Sequence, residues 1–203
     1  MKEMWDKRYS DDDYAYGTEV NDFVREQYSE IPQGKVLCLA EGEGRNAVFL
    51  AGKGYQVTAM DQSTSGLKKA EQLAEKLGVE IETQAADLAE FEIEPESVSG
   101  IISIAGHVPP FIRKRVHEQV VNGLAPGGIY LIEGYTARHL EMEGAGGPPA
   151  TQIEMFYDLE ELKQELSGLE FILAHETERH MSEGKFHQGD SAVVQIVARK
   201  PLV

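Results

Sequence analysis

A single cysteine in 203 residues excludes an internal disulfide framework. No apolar run approaches the ~18 residues that a membrane-spanning helix needs. Basic residues are scarce: 19 Lys and Arg stand against 35 Asp and Glu, a net charge of −16. A field of that sign repels phosphate backbones, and the one basic cluster, Arg113-Lys114-Arg115, is too short to reverse it. A nucleic-acid partner is therefore not expected, and the cluster reads as a solvated helix face. Internal repeats and a domain-dividing linker are missing as well. The first residues, Met-Lys-Glu-Met-Trp-Asp, are mixed and charged with no apolar leader pattern, so a cytoplasmic protein with no membrane partner is expected. Cys38 lies inside an apolar strand pattern and reads as a packing residue.

The length suits one α/β domain, with an extension over 1–33 and a core over 34–203. From Lys35 strand and helix patterns alternate, which predicts a largely parallel sheet with helices on both faces. Strands are expected at Val36–Leu39, Gln56–Met60, Glu80–Gln84, Gly100–Ile104, Ile129–Glu133, Phe171–Thr177 and Ala192–Arg199. Helices are expected to begin near Arg45, Ser63, Pro110 and Asp158, with a short amphipathic one around Asn21–Ser29. Asp158-x-x-Glu161 has capping-box spacing, and Gly54 and Gly78 sit where two helices should stop. Glu178–Asp190 reads as a polar loop without helix pattern, so the last two strands should pair as an antiparallel hairpin. Arg138–Tyr157 is a long irregular segment rich in Gly and Pro, expected near the mouth of a site as a gate or as a plain surface loop.

The chemistry-bearing motif is Lys35-Val-Leu-Cys-Leu-Ala-Glu-Gly-Glu-Gly-Arg-Asn46, with Asp61 closing the next apolar run. A strand breaking into Gly42 and Gly44 and then into a helix is the layout of a nucleotide-type cofactor site. Asp61 stands where an acid can take both ribose hydroxyls, beside Gln62. Asp87, followed by Leu88, comes after the third strand pattern and can accept from an adenine amino group. Gly42-x-Gly44-x-x-Ala47 also fits a dinucleotide fingerprint, which keeps an NAD(P)-dependent oxidoreductase open. A pyrophosphate there would lie beside Glu41 and Glu43, however, whereas S-adenosylmethionine has no phosphate and carries a sulfonium cation. The charge argument favours S-adenosylmethionine as cofactor.

This series, with Leu124-Ala-Pro-Gly-Gly128, resembles class I S-adenosylmethionine-dependent methyltransferases. Trp5-Asp-x-Arg-Tyr9 and Tyr16-Gly-Thr-Glu-x-Asn21 resemble their small tellurite-resistance and thiopurine methyltransferase-like branch. The resemblance implies a Rossmann-like, seven-stranded, mostly parallel sheet ending in an antiparallel hairpin, and methyl transfer to a small-molecule acceptor. It implies cofactor contacts at Ala40, Glu41, Gly42, Gly44, Asp61, Gln62, Asp87, Leu88 and the backbone of Ala105. It also implies a lid over cofactor and acceptor, carried by Tyr14, Tyr16 and Asn21. Two positions depart from the family pattern. Cys38 replaces an acid and Ala40 replaces the first glycine, which leaves a non-catalytic binding module as a further alternative.

Methyl transfer from a sulfonium is an in-line displacement, so alignment of the acceptor supplies much of the rate and a base is needed only for a protonated acceptor. His107, after the fourth strand, is the candidate base, against the plainer role of holding a loop carbonyl. Arg45 is expected either at a cofactor carboxylate or paired with Glu41 or Glu43. His175, His180 and His187 lack tight ligand spacing, and no metal is expected.

Overall fold

The computed structural model describes residues 2–202. Seven strands form: β1 (Lys35–Leu39), β2 (Gln56–Asp61), β3 (Glu82–Ala85), β4 (Val98–Ile104), β5 (Leu124–Tyr135), β6 (Glu170–Glu183) and β7 (His187–Arg199). They make one sheet in the order β3-β2-β1-β4-β5-β7-β6. The first five are parallel to one another, and β7 runs antiparallel to both β5 and β6. All seven expected strands are present.

Successive strand side chains point to opposite faces, and the sheet is buried on both. Val36, Cys38, Ile102 and Leu131 face α2 (Asp22–Gln27) and α3 (Arg45–Gly52), through Phe23, Val24, Ala47 and Leu50. Leu37, Leu39, Ile101 and Ile132 face α5 (Pro110–Gly123) and α6 (Leu159–Glu165), through Ile112, Val116, Val120 and Leu162. Cys38 is fully buried among these apolar side chains, as its setting predicts. Between β2 and β3 runs α4 (Thr64–Leu77), capped by Ser63 Oγ on the Gly66 N–H and closed by left-handed Gly78. Asp158 caps α6 through the N–H groups of Glu160 and Glu161.

Three features differ from expectation. A helix, α1 (Lys2–Arg8), forms in the extension, where no periodicity announces it. The stretch expected to be a polar loop at 178–190 is mostly strand, with only Gly184–Phe186 between β6 and β7. Its inward positions carry Arg179, Glu183 and His187, which pair with one another, so the apolar alternation that marks a strand is absent. Arg113 is not on a solvated face: it is 2 % exposed and forks onto Glu165 at 2.9 and 3.1 Å, with Glu161 at 2.8 Å. His117 Nδ1 meets the same Glu165 at 2.6 Å, so one carboxylate ties α5 to α6.

Burial alone would raise the Glu165 carboxyl, but His117 and Arg113 outweigh it and hold it below the usual carboxylate value of 4.5. The contribution of Glu165 is therefore present above that value and lost as pH falls below it. Glu165→Ala leaves Arg113 only the exposed Glu161 and removes the partner of buried His117, and is expected to lower unfolding stability by about 2 kcal/mol at pH 7. Urea titration checks this, and a loss that does not shrink on acidification contradicts the ion-pair account.

Candidate active site

The four strand ends β3-β2-β1-β4 form the crevice where sheet order reverses, between β1 and β4, which is where open α/β sheets take ligands. The turn after β1 begins with Ala40 at φ +50°, a left-handed conformation that its Cβ makes costly. Glu41 folds back, and its carboxylate accepts the N–H groups of Asn46 at 2.9 Å and Ala47 at 2.8 Å, capping α3. Burial pushes this carboxyl up to about 7 against those hydrogen bonds.

Gly42 and Gly44 take φ of +63° and +88° for two different reasons. A Cβ on Gly44 would sit 2.5 Å from the Ala70 Cβ, so this glycine lets α3 and α4 pack closely. A Cβ on Gly42 would sit 2.6 Å from the Tyr9 hydroxyl. Asp61 joins the two turns: one oxygen accepts the Gly42 N–H at 2.9 Å and the other the Ser63 N–H at 2.7 Å. Gln62 lies next to it, half-buried. Asp87 is exposed beyond β3, using one oxygen for the Ala89 N–H, while Leu88 packs into the core beneath. Ala105, at φ +53°, ends β4 with its N–H on the Glu133 carbonyl. The expected cofactor positions thus share one rim of the sheet.

The extension covers that rim. Asp6 accepts from Ser63 Oγ at 2.6 Å and from the Ser65 N–H, seating α1 on the start of α4. Trp5 stacks on Tyr9, and Tyr9 lies over Gly42. The latch is Glu43, buried rather than facing a ligand: it accepts the Ala15 N–H at 2.7 Å and pairs with Lys69 at 2.5 Å. Lys69 also donates to the carbonyls of Asp11 and Asp13.

The three expected lid residues separate. Tyr14 packs on α4, its hydroxyl on the Lys69 carbonyl. Tyr16 points inward, its ring 4.4 Å from that of His187 and its hydroxyl on Arg8. Asn21 is fully buried and is an anchor rather than a lid. Its side chain caps α2 and donates to Glu133 at 2.8 Å and Glu183 at 3.0 Å.

His107 is corrected from base to structural residue. Its Nδ1 meets the Met155 carbonyl at 2.9 Å and its Nε2 accepts the Tyr135 N–H at 3.0 Å, so no lone pair is left for a proton. Burial depresses it to about 4, consistent with a permanently neutral ring. Met155 belongs to the irregular segment, which is pinned at a few points although most of it is exposed: Gly146 and Gly147 lie against Tyr135, and Ala145 bridges Gln188.

Sequence reasoning missed the buried ionic network beside this rim. Glu183 binds Arg45 at 2.7 Å and His187 at 3.3 Å, while Arg179 bridges Glu183 to Glu133. Arg45 thus pairs with neither Glu41 nor Glu43. Burial opposes charge on Glu183, but His187 and Arg45 hold its carboxyl down to about 2. The only signal in the chain was Glu133 closing an apolar strand. The other two histidines lie apart, His175 with Gln195 and His180 with Asp190 across the hairpin.

Residues 36–128 match the methyltransferase domain family. That stretch of this chain, from β1 into β5, is similar to methyltransferase domains. No curated protein matches the sequence. Solved structures match its fold. One, described as converting a disulfide bond into a thioacetal group during echinomycin biosynthesis, is 19 % identical, with TM-score 0.76 over 100 % of this chain and 93 % of that one. TehB from Haemophilus influenzae is 21 % identical, with TM-score 0.74 over 98 % of this chain and 66 % of its own. An S-adenosylmethionine-dependent methyltransferase from Methanosarcina mazei is 19 % identical, with TM-score 0.71 over 91 % and 100 %. The chain therefore shares the Rossmann-like fold of these structures, one of them an S-adenosylmethionine-dependent methyltransferase.

The residues present fit that methyl donor. Arg45 Nη1 is buried at the start of α3 with no hydrogen-bond partner among the described residues, a donor suited to a carboxylate. Trp5 is the chain's one tryptophan and reports on the covering arm. Lys69→Met removes the latch beneath it and is expected to red-shift Trp5 emission and raise its quenching by acrylamide. An unchanged spectrum contradicts the latch.

Proposed function

We propose that this protein moves a methyl group from S-adenosylmethionine to a small-molecule acceptor by in-line displacement. The observation that carries the cofactor choice is the fold-back of Glu41. Its carboxylate already occupies the N–H groups of Asn46 and Ala47. Those donors at a helix N-terminus are what a dinucleotide pyrophosphate would need, and the Glu41 side chain already takes them. That argues against the oxidoreductase alternative.

Asp61 and Gln62 would hold the ribose, Asp87 and Leu88 the adenine edge, and Arg45 with the turn at Ala40–Gly44 the methionine end. The bound donor supplies a methyl already activated on sulfonium sulfur. The chain supplies alignment and exclusion of water, with α1 and Tyr9 closing over the glycine turn. Tyr16 is the one expected lid residue whose ring faces the interior. An acceptor reaching that interior beneath a closed arm is small, and the net charge of −16 disfavours a nucleic acid. No helix among the described residues is long and apolar enough to cross a membrane.

Calorimetric titration with S-adenosylmethionine, S-adenosylhomocysteine and NADH tests the reading. The two adenosyl ligands are expected to bind and NADH is not; NADH binding alone overturns the proposal. Gly42→Val puts a branched side chain at φ +63° against Tyr9. It is expected to weaken S-adenosylhomocysteine by at least about tenfold, or ~1.4 kcal/mol, and unchanged affinity places the site elsewhere.

A further inference from the structure

Three histidines surround the end of β5, and they differ in what holds their nitrogens. His107 has both nitrogens bound to backbone. His139 lies under Gly146, its ring 4.5 Å from that of Tyr135. His187 is 8 % exposed and gives one nitrogen, Nδ1, to Glu183 Oε2 at 3.3 Å. Among the described residues nothing takes its Nε2. A carboxylate on Nδ1 fixes the proton there and leaves a lone pair on Nε2, the arrangement of an imidazole prepared to act as a base. Glu183 is itself fixed by Arg45 at 2.7 Å and Asn21 at 3.0 Å, so the imidazole is aimed by a rigid support.

Two tyrosine rings flank this imidazole. The His187 ring lies 4.4 Å from Tyr16 and 5.4 Å from Tyr135, and Tyr16 in turn touches Tyr9 over the glycine turn. The hairpin tip is joined to the arm: the Lys185 N–H donates to the Ala15 carbonyl at 2.8 Å, and Gly184 packs against Gly17. Docking the arm therefore assembles Tyr16 against His187. We infer that His187, oriented by Glu183, is the base that takes the proton from a protic acceptor seated beside Tyr16 and Tyr135. This rests on the methyltransferase reading.

In the step, the acceptor heteroatom forms a bond to the methyl carbon, and the carbon–sulfur bond breaks with its electron pair left on sulfur. The acceptor's proton passes to Nε2, and the resulting imidazolium is stabilised by Glu183 until it returns the proton to water. One positive charge enters on the sulfonium and one leaves as the proton. The charged and titratable groups facing His187 are Glu183 from β6, Glu133 and Tyr135 from β5, Arg45 from α3, Tyr16 from the arm, and His107 and His139 from the adjoining loops. Burial and Arg45 lower its basicity more than the carboxylates restore it, so the ring is neutral at pH 7 and ready to accept.

His187→Asn is the test, because the Asn amide can keep the hydrogen bond to Glu183 while removing Nε2. The probes are benzyl mercaptan, phenol and benzylamine, which carry a proton at the reacting atom, and iodide and dimethyl selenide, which carry none. With S-adenosylmethionine binding unchanged by calorimetry, the variant is expected to lose about 100-fold in methylation of a protic probe. Imidazole is expected to restore part of that loss, and the proton-free probes are expected to react at the wild-type rate. Nitrogen NMR of the ligand-free protein is expected to show His187 neutral at pH 7 with its proton on Nδ1. A proton on Nε2, a protic rate unaffected by the variant, or no protic probe methylated by the wild type while S-adenosylmethionine binds each overturns the inference. Failure of S-adenosylmethionine to bind instead overturns the reading beneath it.

Discussion

The carboxylate of Glu183 is the point on which the site's construction depends. It is buried on the last hairpin, yet its partners come from α3 (Arg45), the start of α2 (Asn21), its own strand (Arg179) and the facing strand (His187). Removing a charge from the middle of such a network leaves the others buried and unpaired, which is far more costly than the network's net contribution to stability. The geometry is therefore over-determined: the hairpin, the glycine-turn helix and the arm cannot shift independently. Closing the arm over the turn and placing Tyr16 against His187 are one event for the same reason.

The acidic composition takes on a different meaning in the structure. Read as a surface property, an excess of Asp and Glu says only that phosphates are repelled. Glu43, Asp61, Glu133 and Glu183 are all buried, each with partners that hold a particular piece of backbone or a cation. Asp61 holds two turns together, Glu43 latches the arm through Lys69, and Glu133 takes Arg179, Asn21 and Gln195. These are positional roles, and the number of acids says nothing about them.

The sheet and its helices could be read from the chain because their signals are local. Apolar runs of strand length, the Asp158 cap and the stop at Gly78 each act within a few residues. The glycine turn with Asp61 was local in the same sense. What could not be read is set by contacts between residues far apart. Arg113 resembles a solvated residue until Glu165, 52 positions away, is brought beside it. The 178–190 stretch resembles a loop because its strand alternates paired charges instead of apolar groups. His107 stands where a base would be expected, and only the backbone N–H and carbonyl that close on it show otherwise. His187 stood out only as one of three hairpin histidines weighed for a metal, since its partner Glu183 is also a residue that patterning reads as solvent-facing.

The central claim is that one rim of the sheet, roofed by the N-terminal arm, holds the adenosyl cofactor. Amide hydrogen exchange with and without S-adenosylhomocysteine measures this directly. The account predicts slowed exchange in the arm over 5–17, in the turn at 40–46 and at 61–66, with β6 and β7 beyond the hairpin tip unchanged. Protection confined to another face of the sheet, or none in the glycine turn, would contradict it.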